Sequence, residues 1–243
     1  MTQENSKNEI SEKKNTSVAV PSAFLDDANS GLETLTADDI TIPRLKVLQA
    51  MSPEVMKSDS KYIEGASAGD IINTVTSKLY TDDEPLVVLP VAYKRLFLEW
   101  GPRESGGGLV AQHEDSSILS KTSKDNMGRD MLENGNYIQT SATHFVLSIH
   151  KDGSYDTAMI AMAGTQLKKS RTWNSVMASI KMKSGDKVFT PASFSHKYIM
   201  KTKAESNDRG TWFGWNITLD GPIAESEMSL YQAATGFAST VGD

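Results

Sequence analysis

The chain of 243 residues carries 25 Lys and Arg against 31 Asp and Glu, a formal net charge of −6, with 38% hydrophobic residues and no cysteine. Such a composition suits a globular core of ordinary size and excludes disulfides, zinc–thiolate sites and cysteine nucleophiles. No apolar run approaches the roughly 18 residues that cross a bilayer, and the polar stretch Met1 to Ser17 lacks the apolar segment of a secretory signal, so no membrane partner is expected.

In chain order, residues 1–22, rich in Asn, Ser, Lys and Glu, read as a disordered arm. Ala23 to Ser30 reads as a short turn of helix. Thr36-Ala37-Asp38-Asp39 has the form of a helix N-cap, with Pro43 soon after to keep any helix short. Ile42, Leu45, Val47 and Leu48 give an apolar segment ending near Pro53. From Gly69 the pattern is β: Asp70 to Val75, a hairpin partner at Ser77 to Tyr80, then Leu86 to Tyr93, whose Pro90 requires a bulge or an edge. Lys94 to Trp100 continues that sheet. Residues 101–136, with Gly106-Gly107-Gly108 and Asn134-Gly135-Asn136, predict long irregular loops. Thr143 to Ile149 and Tyr155 to Ala163 form a hairpin through Asp152-Gly153. Leu167 to Met182 changes to helical spacing without Gly or Pro. Pro191 to Thr202 and Trp212 to Leu219 form a further hairpin about Asn207 to Gly210, stopped by Pro222, and Glu225 to Phe237 predicts a last helix.

This order predicts a mainly β (α+β) fold: a curved antiparallel sheet or small barrel of oligonucleotide-binding type, with a helix inserted near 165–183. A single domain over 23–222 would follow the arm, and a C-terminal helix and tail would occupy 223–243.

The charge is unevenly spread. Thr165 to Lys203 holds nine cations and one acid, Asp186; that is +8 in a chain of −6, which leaves −14 elsewhere. Trp173, Phe189, Phe194 and Tyr198 are interleaved with these cations. Cations that neutralise phosphates, beside rings that stack on unpaired bases, are what a groove for single-stranded nucleic acid needs. The candidate residues are Lys168, Lys169 and Arg171 for phosphates, Ser170, Thr172 and Asn174 as neutral donors, and Trp173 as a platform, with Lys181 and Lys183 following. The competing reading is a solvated helix face with Trp173 in the core. Trp212 and Trp215 are a second candidate pair, although alternation puts them on opposite faces and argues that at least one is core. Tyr93, Arg95 and Phe97 share a strand face with Lys94 on the other; Trp100 and Arg103 extend that mixture, and snorkelling cations on an amphipathic strand are the plainer alternative.

Catalytic patterns are missing. His113, His144, His150 and His196 are scattered without metal-ligand spacing, and Asp82-Asp83-Glu84 reads as a solvated loop. Gly106-Gly107-Gly108 lacks the ending of a phosphate-binding loop, and no Gly-x-Ser-x-Gly elbow occurs. No catalytic residue, metal or cofactor is expected.

A set of segments carries a resemblance across roughly Gly31 to Gly221: Gly31-Leu32-Glu33, Ile42-Pro43-Arg44-Leu45, Gly69-Asp70-Ile71-Ile72-Asn73-Thr74, Val87-Val88-Leu89-Pro90-Val91, Thr165 through Asn174, and Gly210-Thr211-Trp212-Phe213-Gly214-Trp215. With these the chain resembles single-stranded DNA-binding proteins encoded by tailed bacteriophages. The resemblance implies coating of single strands in phage replication and recombination, no enzymatic activity, an oligonucleotide-binding fold, and work in the cytoplasm of the infected bacterial host. Phage replication proteins are then the candidate protein partners, and a homo-oligomer is an open option. Many such proteins end in a strongly acidic tail, whereas Glu225 to Asp243 holds only Glu225, Glu227 and Asp243 as acids. Two other classes stay open: a phage structural or assembly protein whose basic segment docks on an acidic protein surface, and a single-strand annealing recombination protein.

Overall fold

The computed structural model describes residues 21–242 other than 29, 37, 38, 103, 105 and 209. Nearly all of the arm expected at 1–22 lies outside the described residues, as do Arg103 and the middle of the cap expected at 36–39. The chain divides into two compact units between Thr41 and Ile42. In the first, helix α1 (Ser22–Asp26) overlaps the start of the segment read as a helical turn, Ala23 to Ser30. Thr36 donates from its backbone N–H and from Oγ1 to Asp39 Oδ2, at 2.9 and 2.7 Å, which is the reciprocal half of a capping box.

The second unit is mainly β. Its strands are β1 (Leu45–Val47), β2 (Ile71–Asn73), β3 (Leu79–Tyr80), β4 (Leu86–Trp100), β5 (Leu109–His113), β6 (Ser123–Lys124), β7 (Asp130–Met131), β8 (Tyr137–Ile149), β9 (Tyr155–Ala163), β10 (Met182–Ser184), β11 (Lys187–Phe189), β12 (His196–Asn207) and β13 (Gly210–Pro222). Helices α2 (Leu167–Ser179) and α3 (Met228–Gly242) complete it. A curled antiparallel sheet, half of a barrel, runs β13-β12-β4-β8, with β9 beyond β8 and β5 beside the far end of β4. A small sheet, β1-β2-β3, continues the curl past β9: Arg44 bridges Met159 in parallel, and Met159 N–H donates to Pro43 O at 2.8 Å.

Alternation builds the two cores. Val88, Ala142, Val146, Ala158, Ile160 and Met162 face one side, where Leu45, Ile71, Trp173, Tyr198 and Trp215 meet them. Leu89, Val91 and Leu147 face the other, where Leu230, Ala234, Phe237 and Val241 of α3 cover them. The period of two in β9 and of three to four in α3 is the sequence signature of each layer. Pro90 sits where the register of β4 with β8 shifts, between Pro90 and Ala92, as its missing N–H requires.

Three expectations are corrected. Residues 101–136 are not simply loop, since β5, β6, β7 and a 3₁₀ turn at Ser116–Lys121 lie within them. The inserted helix stops at Ser179, because Ile180 takes an extended ψ of 128°. Lys181 and Lys183 therefore leave the helix for a separate hairpin, β10–β11, paired Met182↔Phe189 through Ser184↔Lys187. Its turn needs Gly185, at φ 58°, in the left-handed region that glycine tolerates.

Candidate functional site

A groove of about 630 Å³ lies between α2 and β13. Lys168, Lys169, Thr172, Trp173 and Val176, a set at helical spacing that shares one side of α2, line one wall together with Thr165 of the preceding 3₁₀ turn. Trp215 to Leu219 of β13 form the other wall, with Tyr198 and Glu205 contributed by β12. Trp215, which the sequence marked separately, is thus brought to the same place as Lys168, Lys169 and Trp173. Arg171 is exposed but does not line the groove.

Two glutamines set the position of β13. Phe213 N–H donates to Gln49 Oε1 at 2.8 Å, and Gln49 Nε2 donates back to Phe213 O at 2.9 Å. Trp215 N–H donates to Gln166 Oε1 at 2.9 Å. Residues 213 and 215 thus turn their N–H groups away from β12, and side-chain amides take the place of a neighbouring strand. A Cβ on the intervening Gly214 would fall 2.7 Å from Gln166 Nε2 and from Glu205 Oε2, so glycine permits this close approach.

The rings form a chain through the core. Trp173 is 2% exposed and Tyr198 1%. Trp173 stacks on His144, with centroids 4.4 Å apart and planes at 25°, and meets Tyr198 edge-on at 5.6 Å. Tyr93 also meets His144, with centroids 5.0 Å apart and planes tilted at 56°. His144 and Ser170 Oγ hydrogen-bond at 2.8 Å. Burial lowers the His144 pKa to about 3, so the imidazole under Trp173 is neutral at physiological pH. Burial also pushes the Tyr198 hydroxyl up to about 12. Trp173 Nε1 and Tyr198 Oη are both buried without a hydrogen-bond partner.

The cations divide into two groups. Lys169 pairs with Glu205 at 2.6 Å, Lys197 with Glu227 at 2.8 Å and Lys201 with Asp82 at 3.7 Å. Glu205 also accepts from Trp212 Nε1 at 3.1 Å, and its carboxyl is held below the usual range, first by the hydrogen bond from Lys169. Lys181 bonds Ala178 O and Thr190 Oγ1, tying the hairpin to the end of α2. By contrast Lys168, Arg171, Lys183, Lys187 and Lys203 are exposed and enter no ion pair among the described residues.

Trp215 is 4% exposed and lies in the core, while Trp212 is half-buried on Glu205. With no register shift at Gly214, the two rings do occupy opposite faces. Tyr93 and Arg95 are exposed on β4, Tyr93 joined to the groove only through His144. Lys94 meets Glu114 at 3.8 Å. Sequence reasoning gave no signal for Glu205, for Gln49 or for the pairing of His144 with Ser170; Tyr198 and Ser170 stand in the basic segment already marked for its rings and neutral donors, and Gln166 in the run that begins at Thr165. Among the described residues no three of His, Asp and Glu converge to hold a metal ion, and no helix is long and apolar enough to cross a membrane.

A dependence on acid follows from His144. In the unfolded chain its imidazole titrates near 6.5, in the fold near 3, and burial lowers His196 as well. Folding stability is therefore fully present above pH 6.5 and falls as the pH drops, because the unfolded chain takes up protons that the fold refuses. The slope approaches about 1.4 kcal/mol per pH unit for each fully depressed imidazole. Urea midpoints measured from pH 7 to 4.5 are expected to decline, and to decline less steeply in His144→Gln.

A family model described as Pam3 phage gp34-like protein matches residues 12–243. No curated protein and no solved structure matches the chain.

Proposed function

The chain belongs to the Pam3 phage gp34-like family, a bacteriophage family, and from that premise we propose that it binds and coats single-stranded DNA during phage replication and recombination. Binding is sequence-tolerant and non-catalytic, and takes place in the cytoplasm of the infected host. The observation that carries this reading is the group of unpaired, exposed cations on α2 (Lys168, Arg171), on the β10–β11 hairpin (Lys183, Lys187) and on β12 (Lys203), beside a groove walled by rings. None of them enters an ion pair among the described residues, and the segment that holds them carries +8 with Asp186 as its one acid, in a chain of −6. Phosphates along a single strand would take these cations as partners, whereas Trp173, Tyr198 and Trp215 are packed in the core and do not offer the stacking faces expected of such a platform. The curled sheet is read as an oligonucleotide-binding half-barrel.

Titration of tryptophan fluorescence with oligo-dT, against duplex competitor, tests the proposal. The expected result is quenching at low salt that falls steeply as salt rises and that duplex does not abolish. No quenching with micromolar protein at low salt would overturn it. One observation favours a second reading: Met182, Val188 and Phe189 stand 40%, 62% and 38% exposed on the hairpin beside its lysines, a mixed surface that would suit an acidic protein partner in assembly. Salt-sensitive binding to a virion component without DNA binding would select that reading.

A further inference from the structure

The rings of the groove are closed in the core, but one ring of the basic segment stands outside it. Of the four rings in that segment, Trp173 and Tyr198 are buried and Phe194 packs edge-on against Tyr231 at 4.9 Å. Phe189, on β11, is the exposed one. It belongs to a two-stranded ribbon, β10–β11, whose residues are exposed along both strands. The pairing Met182↔Phe189 and Ser184↔Lys187 puts Phe189, Met182 and Lys187 on one face, and Lys183 and Val188 on the other, because side chains alternate along a strand. Asp186, in the turn, is the one acid of residues 181–190. The root of the ribbon is fixed: Lys181 Nζ donates to Ala178 O at the end of α2 and to Thr190 Oγ1. A two-stranded ribbon alone is marginal in water, and here its large apolar side chains, Met182, Val188 and Phe189, are left uncovered. Cations on both faces favour a polyanion as the cover. A flat ring beside a lysine on one of those faces favours a polyanion with unpaired bases.

We infer that the β10–β11 ribbon is the base-stacking arm of the single-strand site. One unpaired base lies on the ring of Phe189 with Met182 at its edge. Lys187, on the same face, takes the adjoining phosphate, and Lys183, on the opposite face, takes another. The inference rests on the single-strand reading above and supplies the stacking face that the core rings do not. Stacking uses the flat face that every base has and ignores its edges, so the arm is tolerant of sequence.

The test uses the full chain and two labelled probes of equal length and charge, oligo-dT and an abasic oligomer, followed by fluorescence anisotropy. Phe189→Ala is expected to weaken binding of oligo-dT about fivefold to a hundredfold, the range for loss of one stacked base. Its affinity for the abasic oligomer and its salt slope should stay as in the wild type, since no charge changes. Phe189→Leu keeps an apolar side chain opposite Met182 and should lose nearly as much; Phe189→Trp should bind as tightly as the wild type. The position is exposed, so all three variants are expected to fold, which a thermal melt checks. Wild-type affinity for oligo-dT in Phe189→Ala or Phe189→Leu overturns the stacking arm and leaves the coating reading standing. Equal loss on both probes does the same, because the ring would then act only by packing the ribbon. Failure of the wild type to bind either probe overturns both readings. Binding of poly-glutamate instead, abolished by Phe189→Ala, would overturn them in favour of an acidic protein partner.

Discussion

Replacement of Trp173 by alanine is expected to destabilise the protein by about 3–5 kcal/mol, a large share of the roughly 5–15 kcal/mol by which domains of this kind are stable. The indole is nearly fully buried, stacks on His144, meets Tyr198 edge-on and joins α2 to the core shared by β4, β8, β9 and β12. Its removal leaves a cavity where α2 has its one fully buried apolar side chain, with Leu167, Val176 and Met177 only partly buried around it. It also strips one face of the buried His144 ring. Guanidinium or urea unfolding, followed by far-ultraviolet circular dichroism, measures the loss. A drop below about 1 kcal/mol would contradict the buried, ring-stacked placement. The variant is a poor probe of binding for the same reason, because α2 and its cations would shift together.

The second large effect is expected from charge alone. Lys168→Glu, Arg171→Glu and Lys183→Glu together alter three exposed cations that hold no ion pair, so the fold should be untouched. On the proposed function these cations meet phosphates. Loss of three contacts lowers the magnitude of the salt slope for a single strand by about 2 and weakens binding by about two orders of magnitude near 50 mM salt. Oligo-dT titrations across a salt series measure both quantities. Reversal of Lys57, Lys61 and Lys121, exposed cations outside the basic segment, controls for net charge and is expected to act far less. Equal effects from the two sets would reduce the segment to a contribution from overall charge. Lys169 is left out deliberately, since its reversal would set two carboxylates together at Glu205.

How much of this was readable depends on the range of the interactions. The hairpin through Gly153, the bulge at Pro90, the alternating Ala158, Ile160 and Met162 and the start of α2 all follow from residues close in sequence, and local patterns carry them. The start of β10, Met182 and Lys183, reads as the end of the helix because Ile180 to Ser184 holds neither Gly nor Pro, and a three-residue strand has too few positions to show a period. Residue chemistry alone leaves Trp173 open between platform and core; its contacts with His144 and Tyr198, which come from distant strands, place it in the core. The edge of β13 is held by Gln49, 164 residues away in sequence, and nothing near either residue announces the pairing. The charge count of the basic segment was correct, yet three of its nine cations were already engaged with Glu205, Glu227 and Asp82. A count of charges does not distinguish a cation held by a carboxylate from one left open to solvent.

The two glutamines on β13 have a consequence for crowding. An outer strand with open N–H and C=O groups is a template on which another copy can add itself, and a sheet of this length would be prone to grow in that way. With Gln49 answering both backbone groups of Phe213, and Gln166 the N–H of Trp215, that template is answered at these two positions from within the same chain, which interrupts the run that an added strand would need. Many copies can then lie side by side at high local concentration without fusing strand to strand. Whatever order they adopt must be set by the surfaces of α2 and the hairpin, or by a scaffold that holds them in line.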